Sequence, residues 1–100
     1  METKIQLRHP AGKNAVSMDK AKYDVLKKIL LNLLKTKGES THADILQAIT
    51  GDFKKNKTKF PGSVEWHMEW VKLDLEARKK IKRKGDKSPV KFVLAGRDSL

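Results

Sequence analysis

The side chains with the most chemistry to offer are three histidines, two tryptophans and a large surplus of lysine and arginine, 23 bases against 12 acids. His9, His42 and His67 are far apart along the chain. Zinc chemistry on a helix needs two histidines four apart to share one face, and Glu65-Trp66-His67-Met68-Glu69 supplies one. Gly12-Lys13 has none of the glycine spacing that cradles a phosphate. Ser17 and Ser63 have no nucleophile-elbow context, and the sequence holds no cysteine, so neither a thiolate nor a disulfide is available. These patterns predict no catalytic residue, no metal, no cofactor and no small-molecule ligand.

What remains is charge. The formal net charge is +11 over 100 residues, more than solubility alone asks for, so an anionic partner is the first expectation. The charge is unevenly placed. Lys54, Lys55, Lys57 and Lys59 stand in a stretch with no acid. Residues 78–87 carry Arg78, Lys79, Lys80, Lys82, Arg83, Lys84 and Lys87 against Asp86 alone. The segments 38–53 and 60–77 are net acidic. No apolar run approaches the roughly 20 residues of a membrane span, and Met1-Glu2-Thr3-Lys4 leads into no apolar signal core. A cytoplasmic protein with no membrane partner is the expectation.

The elements that must position these groups follow from periodicity. Lys4–Arg8 alternates with Ile5 and Leu7 on one side, a short strand that His9-Pro10-Ala11-Gly12 breaks. A second extended piece is expected around Asn14–Val16. Met18, Ala21, Val25, Leu26, Ile29, Leu30, Leu33 and Leu34 then recur at helical spacing, between a cap at Ser17 and a stop at Gly38. Thr41-His42-Ala43-Asp44 has capping-box form and opens a second helix that Gly51 is expected to end. A loop over 52–61 follows, its lysine tip bracketed by Phe53 and Phe60.

Gly62-Ser63 starts a third helix, running to about Arg78. At 100° per residue Val64, Met68, Val71 and Leu75 share one face, while Trp66, Trp70, Leu73 and Ala77 share a nearly opposite one. Such a helix is buried on two sides, or gives one side to a partner. Glu65, Glu69, Lys72 and Glu76 should form its wet stripe. Two alternating runs, Lys80–Lys84 and Pro89–Leu94, flank a turn-rich tip and predict a β-hairpin. The chain reads as a single α+β domain over 1–100: an N-terminal strand and arm over 1–16, a core with hairpin over 17–94, and a loose tail over 95–100.

The order helix, helix, loop, helix, hairpin resembles the winged helix family of the helix-turn-helix superfamily. The nearest local likeness is Trp70-Val71-Lys72-Leu73-Asp74-Leu75-Glu76-Ala77-Arg78-Lys79-Lys80-Ile81-Lys82-Arg83. It is similar to that family's passage from the third helix into the first wing strand. The likeness covers about residues 17–94, and it departs from the family where glycine often stands in place of Lys79 or Lys80. The whole chain also resembles a small bacterial family of single-domain proteins to which no activity is attached. The winged-helix resemblance implies a three-helix core with a C-terminal wing, whose loop and wing approach duplex DNA.

On that footing Lys54, Lys55, Lys57, Lys59, Lys82, Arg83, Lys84 and Lys87 are the candidate nucleic-acid-binding residues, contacting phosphates without reading sequence. The acids expected on the third helix argue against base readout. The alternative is a protein-interaction or homodimerisation domain, with Trp66, Trp70 and Leu73 at the interface.

Overall fold

The computed structural model of the chain describes residues 3–84 and 90–95. Strand β1 (Lys4–Gln6) pairs antiparallel with β2 (Ser17–Asp19), with Ile5 opposite Met18. The expected second extended piece thus lies slightly later than Asn14–Val16, and the arm reaches Asp19. Helix α1 spans Lys20–Lys37, and Asp19, not Ser17, caps it by accepting from the Ala21 N–H. Gly38 ends it at φ 86°, a conformation that suits a residue without Cβ.

A two-residue strand, β3 (Ser40–Thr41), precedes α2 (His42–Lys55). The capping box forms as read: the Asp44 N–H donates to Thr41 Oγ1, and the Thr41 N–H donates to Asp44 Oδ2, at 3.1 and 3.0 Å. Gly51 does not stop α2. The helix continues to Lys55, which carries Phe53 into the core and puts Lys54 and Lys55 on the last turn. Phe53 and Phe60 stack with ring centroids 5.1 Å apart, closing the loop as expected. Helix α3 (Val64–Ala77) starts at the Ser63 cap and leads into β4 (Ile81–Lys84) and β5 (Lys91–Leu94). Strand β5 lies between β3 and β4, antiparallel to both, so the sheet order is β3-β5-β4. The result is an α+β domain of three helices and two small antiparallel sheets.

The core draws on every element. Tyr23, Leu26, Leu30 and Leu34 of α1 face Ile45 and Ile49 of α2 and Met68, Val71 and Leu75 of α3, with Ile81 and Phe92 closing from the sheet. Each fully buried Leu or Ile stabilises by about 1.5–3 kcal/mol. Within α1 the stripe is rotated from the one read off the sequence: Tyr23 is inside, and Val25 is 40% exposed.

Both α2 and α3 end in the same way. Thr58 N–H reaches Phe53 O and Lys57 N–H reaches Lys54 O; Lys80 N–H reaches Leu75 O and Lys79 N–H reaches Glu76 O. These are Schellman closures, whose left-handed residue is usually glycine. Here that residue is a lysine each time, Lys57 at φ 53° and Lys79 at φ 62°. A side chain in this conformation costs about 1–2 kcal/mol. The glycine missing at the α3–β4 junction therefore changes the energy of the exit and leaves its geometry intact.

Candidate nucleic-acid interface

Lys54, Lys55, Lys57 and Lys59 are all exposed, two on the last turn of α2 and two in the loop that follows. The loop is held at its far end, where Lys22 Nζ donates to Pro61 O at 3.0 Å and lies over the Phe60 ring. Lys79, Lys80 and Lys82 are exposed as well. Asp52 from α2, Asn56 at its C-cap, Arg78, Lys79 and Lys80 from the α3–β4 corner, and Lys28 and Lys35 from α1 line a single cleft of about 1250 Å³, so the 54–59 segment reaches this surface through Asn56 and not through its lysines. Part of this charge complements helix dipoles, since the last turns of α1 and α2 each carry two lysines.

The strand residues of the predicted site behave differently. Arg83 Nε donates to Glu76 Oε2 at 2.9 Å, which pushes the guanidinium pKa up. Lys84 is bonded to Glu39, and Lys91 lies 3.6 Å from the same carboxyl. Lys84 chiefly, with help from Lys91, holds Glu39 below the usual carboxylate range. Both Arg83 and Lys84 thus already have carboxylate partners within the chain. Lys87 lies outside the described residues.

The wet stripe read along α3 is wrong at Lys72, which is only 4% exposed. Its ammonium donates to His42 Nδ1 at 2.8 Å, sits 3.1 Å from Glu69 Oε1 and rests 4.4 Å above the Phe92 ring. Burial pushes its pKa down, against the pull of Glu69. His42 Nε2 lies 2.9 Å from Glu65 Oε2, so a ring accepting at Nδ1 donates at Nε2. The acids of the helix are therefore answered within the chain: Glu65 by His42, Glu69 by Lys72, Glu76 by Arg83. A periodicity count treats a lysine as wet, and it could not foresee an amine held between an imidazole, a carboxylate and an aromatic face.

Asp74 is the second group the sequence did not reveal. Fully buried on α3, it accepts from the Arg8 N–H at 2.8 Å and the Tyr23 hydroxyl at 2.5 Å, and from Arg78 Nε at 2.8 Å. It ties the N-terminal arm and α1 to α3. Arg78 also donates to Gln6 O at 3.3 Å, which turns it toward the arm.

The tryptophan face divides. Trp70 and Leu73 are half-buried, and Trp70 meets the His9 ring of the arm edge-on at 6.4 Å. Trp66 is 46% exposed. The second apolar side of α3 is thus partly covered by the arm of its own chain. Among the described residues no group of three His, Cys, Asp or Glu side chains is placed to hold a metal ion, and no helix is long and apolar enough to cross a membrane.

A search of the curated proteins finds no match to this chain, and a search of the solved structures finds none. A family model does match, over residues 4–92, from β1 into β5. Its description is "Family of unknown function (DUF6958)", and the chain belongs to that family.

Proposed function

We propose that this protein is a winged-helix domain that binds the duplex DNA backbone without reading sequence and catalyses nothing. The observation that carries the reading is the cleft that Asn56, flanked in sequence by the exposed Lys55 and Lys57, shares with Lys79 and Lys80; the lysines of 54–59 stand outside its lining. The sheet order β3-β5-β4, with β3 between α1 and α2, fits the winged-helix arrangement. The left-handed Lys79 in that surface fits a role for its charge, because strained backbone persists where function needs the residue. The proposed contact set is Lys79 and Lys80 of the cleft with the exposed Lys54, Lys55, Lys57, Lys59 and Lys82, and Arg83 and Lys84 are secondary because carboxylates already engage them. Pairing Glu69 with Lys72 and Glu76 with Arg83 offsets part of the repulsion that α3 would offer a phosphate backbone, while Glu65, which meets only an imidazole, keeps its share.

Fluorescence anisotropy with a labelled mixed-sequence duplex tests it. Binding in the micromolar range at about 50 mM salt should fall steeply by about 200 mM. Changing Lys54, Lys55, Lys57 and Lys59 together to glutamine should lower the log–log salt slope by about 3 to 4. Absence of binding by the wild-type chain, or an unchanged slope in the variant, rejects the reading.

The 46% exposure of Trp66 favours a second reading, a homodimer or other protein contact at Trp66, Trp70 and Leu73. A concentration-dependent mass in sedimentation equilibrium, abolished by Trp66→Ala, is its expected sign.

A further inference from the structure

Phosphate binding leaves the floor of the basic cleft unexplained. Val25 and Ile29 of α1 line it together with Leu94 and Ala95 at the end of β5, while Leu31 lies beyond Lys28 and Lys35 around the helix. Val25 and Trp66 are the exposed large hydrophobics among the described residues, and Val25 sits in this cleft. Aliphatic groups offer a phosphate nothing, and the lining includes no aromatic ring on which a base could stack. The volume, about 1250 Å³, exceeds the roughly 300–1,000 Å³ of a small-molecule pocket.

The rim has a defined pattern. Lys28 and Lys35 are seven residues apart on α1, hence on one flank and about 10 Å apart along its axis. Lys79 and Lys80 stand on the wall formed by the α3–β4 corner. Asp52 is the one acid in the lining, and its Oδ1 accepts from Asn56 Nδ2 at 3.1 Å. An apolar floor with cations on both walls is complementary to a helix that has one apolar stripe and carboxylates on its flanks.

We infer that this cleft docks an acidic amphipathic helix from a partner protein. Its apolar stripe would cover Val25, Ile29 and Leu94, and its carboxylates would meet Lys28 and Lys35 on one side and Lys79 and Lys80 on the other. A second copy of this chain is a poor occupant, because each copy carries a net charge of +11. The inference goes beyond duplex binding and does not depend on it, since it uses a floor that nucleic acid does not need.

The probe is a labelled peptide of about 18 residues with leucines at i, i+3, i+4 and i+7 and glutamates elsewhere. A scrambled peptide of identical composition is the control. The substitution is Val25→Arg, at an exposed position, which spoils the floor while adding a positive charge. The expected result is binding in the tens of micromolar, about tenfold weaker for the scrambled peptide and about tenfold weaker for the variant. Duplex DNA binding by the same variant should hold or rise, so failure of either reading is seen separately.

Equal binding of the two peptides, or undiminished peptide binding by Val25→Arg, would overturn the inference and leave a general polyanion surface. An affinity gain of about tenfold or more on deleting residues 96–100 would also overturn it, by making this chain's own end the occupant.

Discussion

The Tyr23 hydroxyl donates to Asp74 Oδ2 at 2.5 Å, joining α1 to α3 through a fully buried carboxyl. Asp74 also receives the Arg8 N–H and Arg78 Nε, so removing its side chain strands several donors together. Asp74→Ala should cost about 3–5 kcal/mol, as for other broken buried charge pairs. Tyr23→Phe should cost about 1–3 kcal/mol. Urea unfolding followed by circular dichroism gives both values, and a larger loss for Tyr23→Phe than for Asp74→Ala would contradict the network.

The same contact sets a pH dependence. Burial first, and then the bond to Asp74, push the Tyr23 pKa well above its ordinary value of 10.0. The folded state therefore keeps a proton that the unfolded state gives up. The stabilisation is complete below about pH 10 and is lost progressively as pH climbs above it. Denaturation midpoints measured between pH 8 and 11 should fall at the alkaline end for the wild type, and less so for Tyr23→Phe.

Lys72 should respond in the opposite sense from Asp74. Its burial opposes its charge, and its partners His42 and Glu69 are themselves about a third to a half exposed, at 35% and 46%, so water can replace the amine. Lys72→Met should therefore leave stability within about 1 kcal/mol of wild type, or raise it. A loss above about 3 kcal/mol in the same unfolding assay would show that the amine is needed to hold α3 against α2 and β5.

Lys79→Gly separates stability from binding. Relieving the left-handed backbone should stabilise the domain by about 0.5–1 kcal/mol. Losing the charge should lower the salt slope of duplex binding by about 1. Lys57→Gly should do the same. A stability gain with an unchanged slope would remove these two lysines from the contact set.

Much of the frame was legible in the sequence because it rests on local rules. The capping box at Thr41, the stop at Gly38, the Phe53–Phe60 bracket and the hairpin after α3 each follow from residue types within a few positions. What escaped was set by tertiary contact. Gly51 stays helical because burying Phe53 outweighs its low propensity. Strand β3 is two residues long, too short for any alternation to register. Asp74 and Lys72 are polar residues on a helix whose apolar spacing leaves room for them outside, and only their partners in the arm, α1, α2 and β5 explain why they are inside. The candidate interface was legible as clusters of charge. The pairing of Arg83 with Glu76 and of Lys84 with Glu39 was not, since neither is a neighbour in sequence.

The dipeptide Ser40-Thr41 serves two masters. It pairs with Phe92 and Lys91 of β5, and Thr41 also starts α2 through its capping box. Tension applied to the hairpin is therefore delivered straight to the opening turn of a helix, with no slack between them. Fraying of either should be felt by the other, which makes this clasp a natural place for the molecule to begin to come apart.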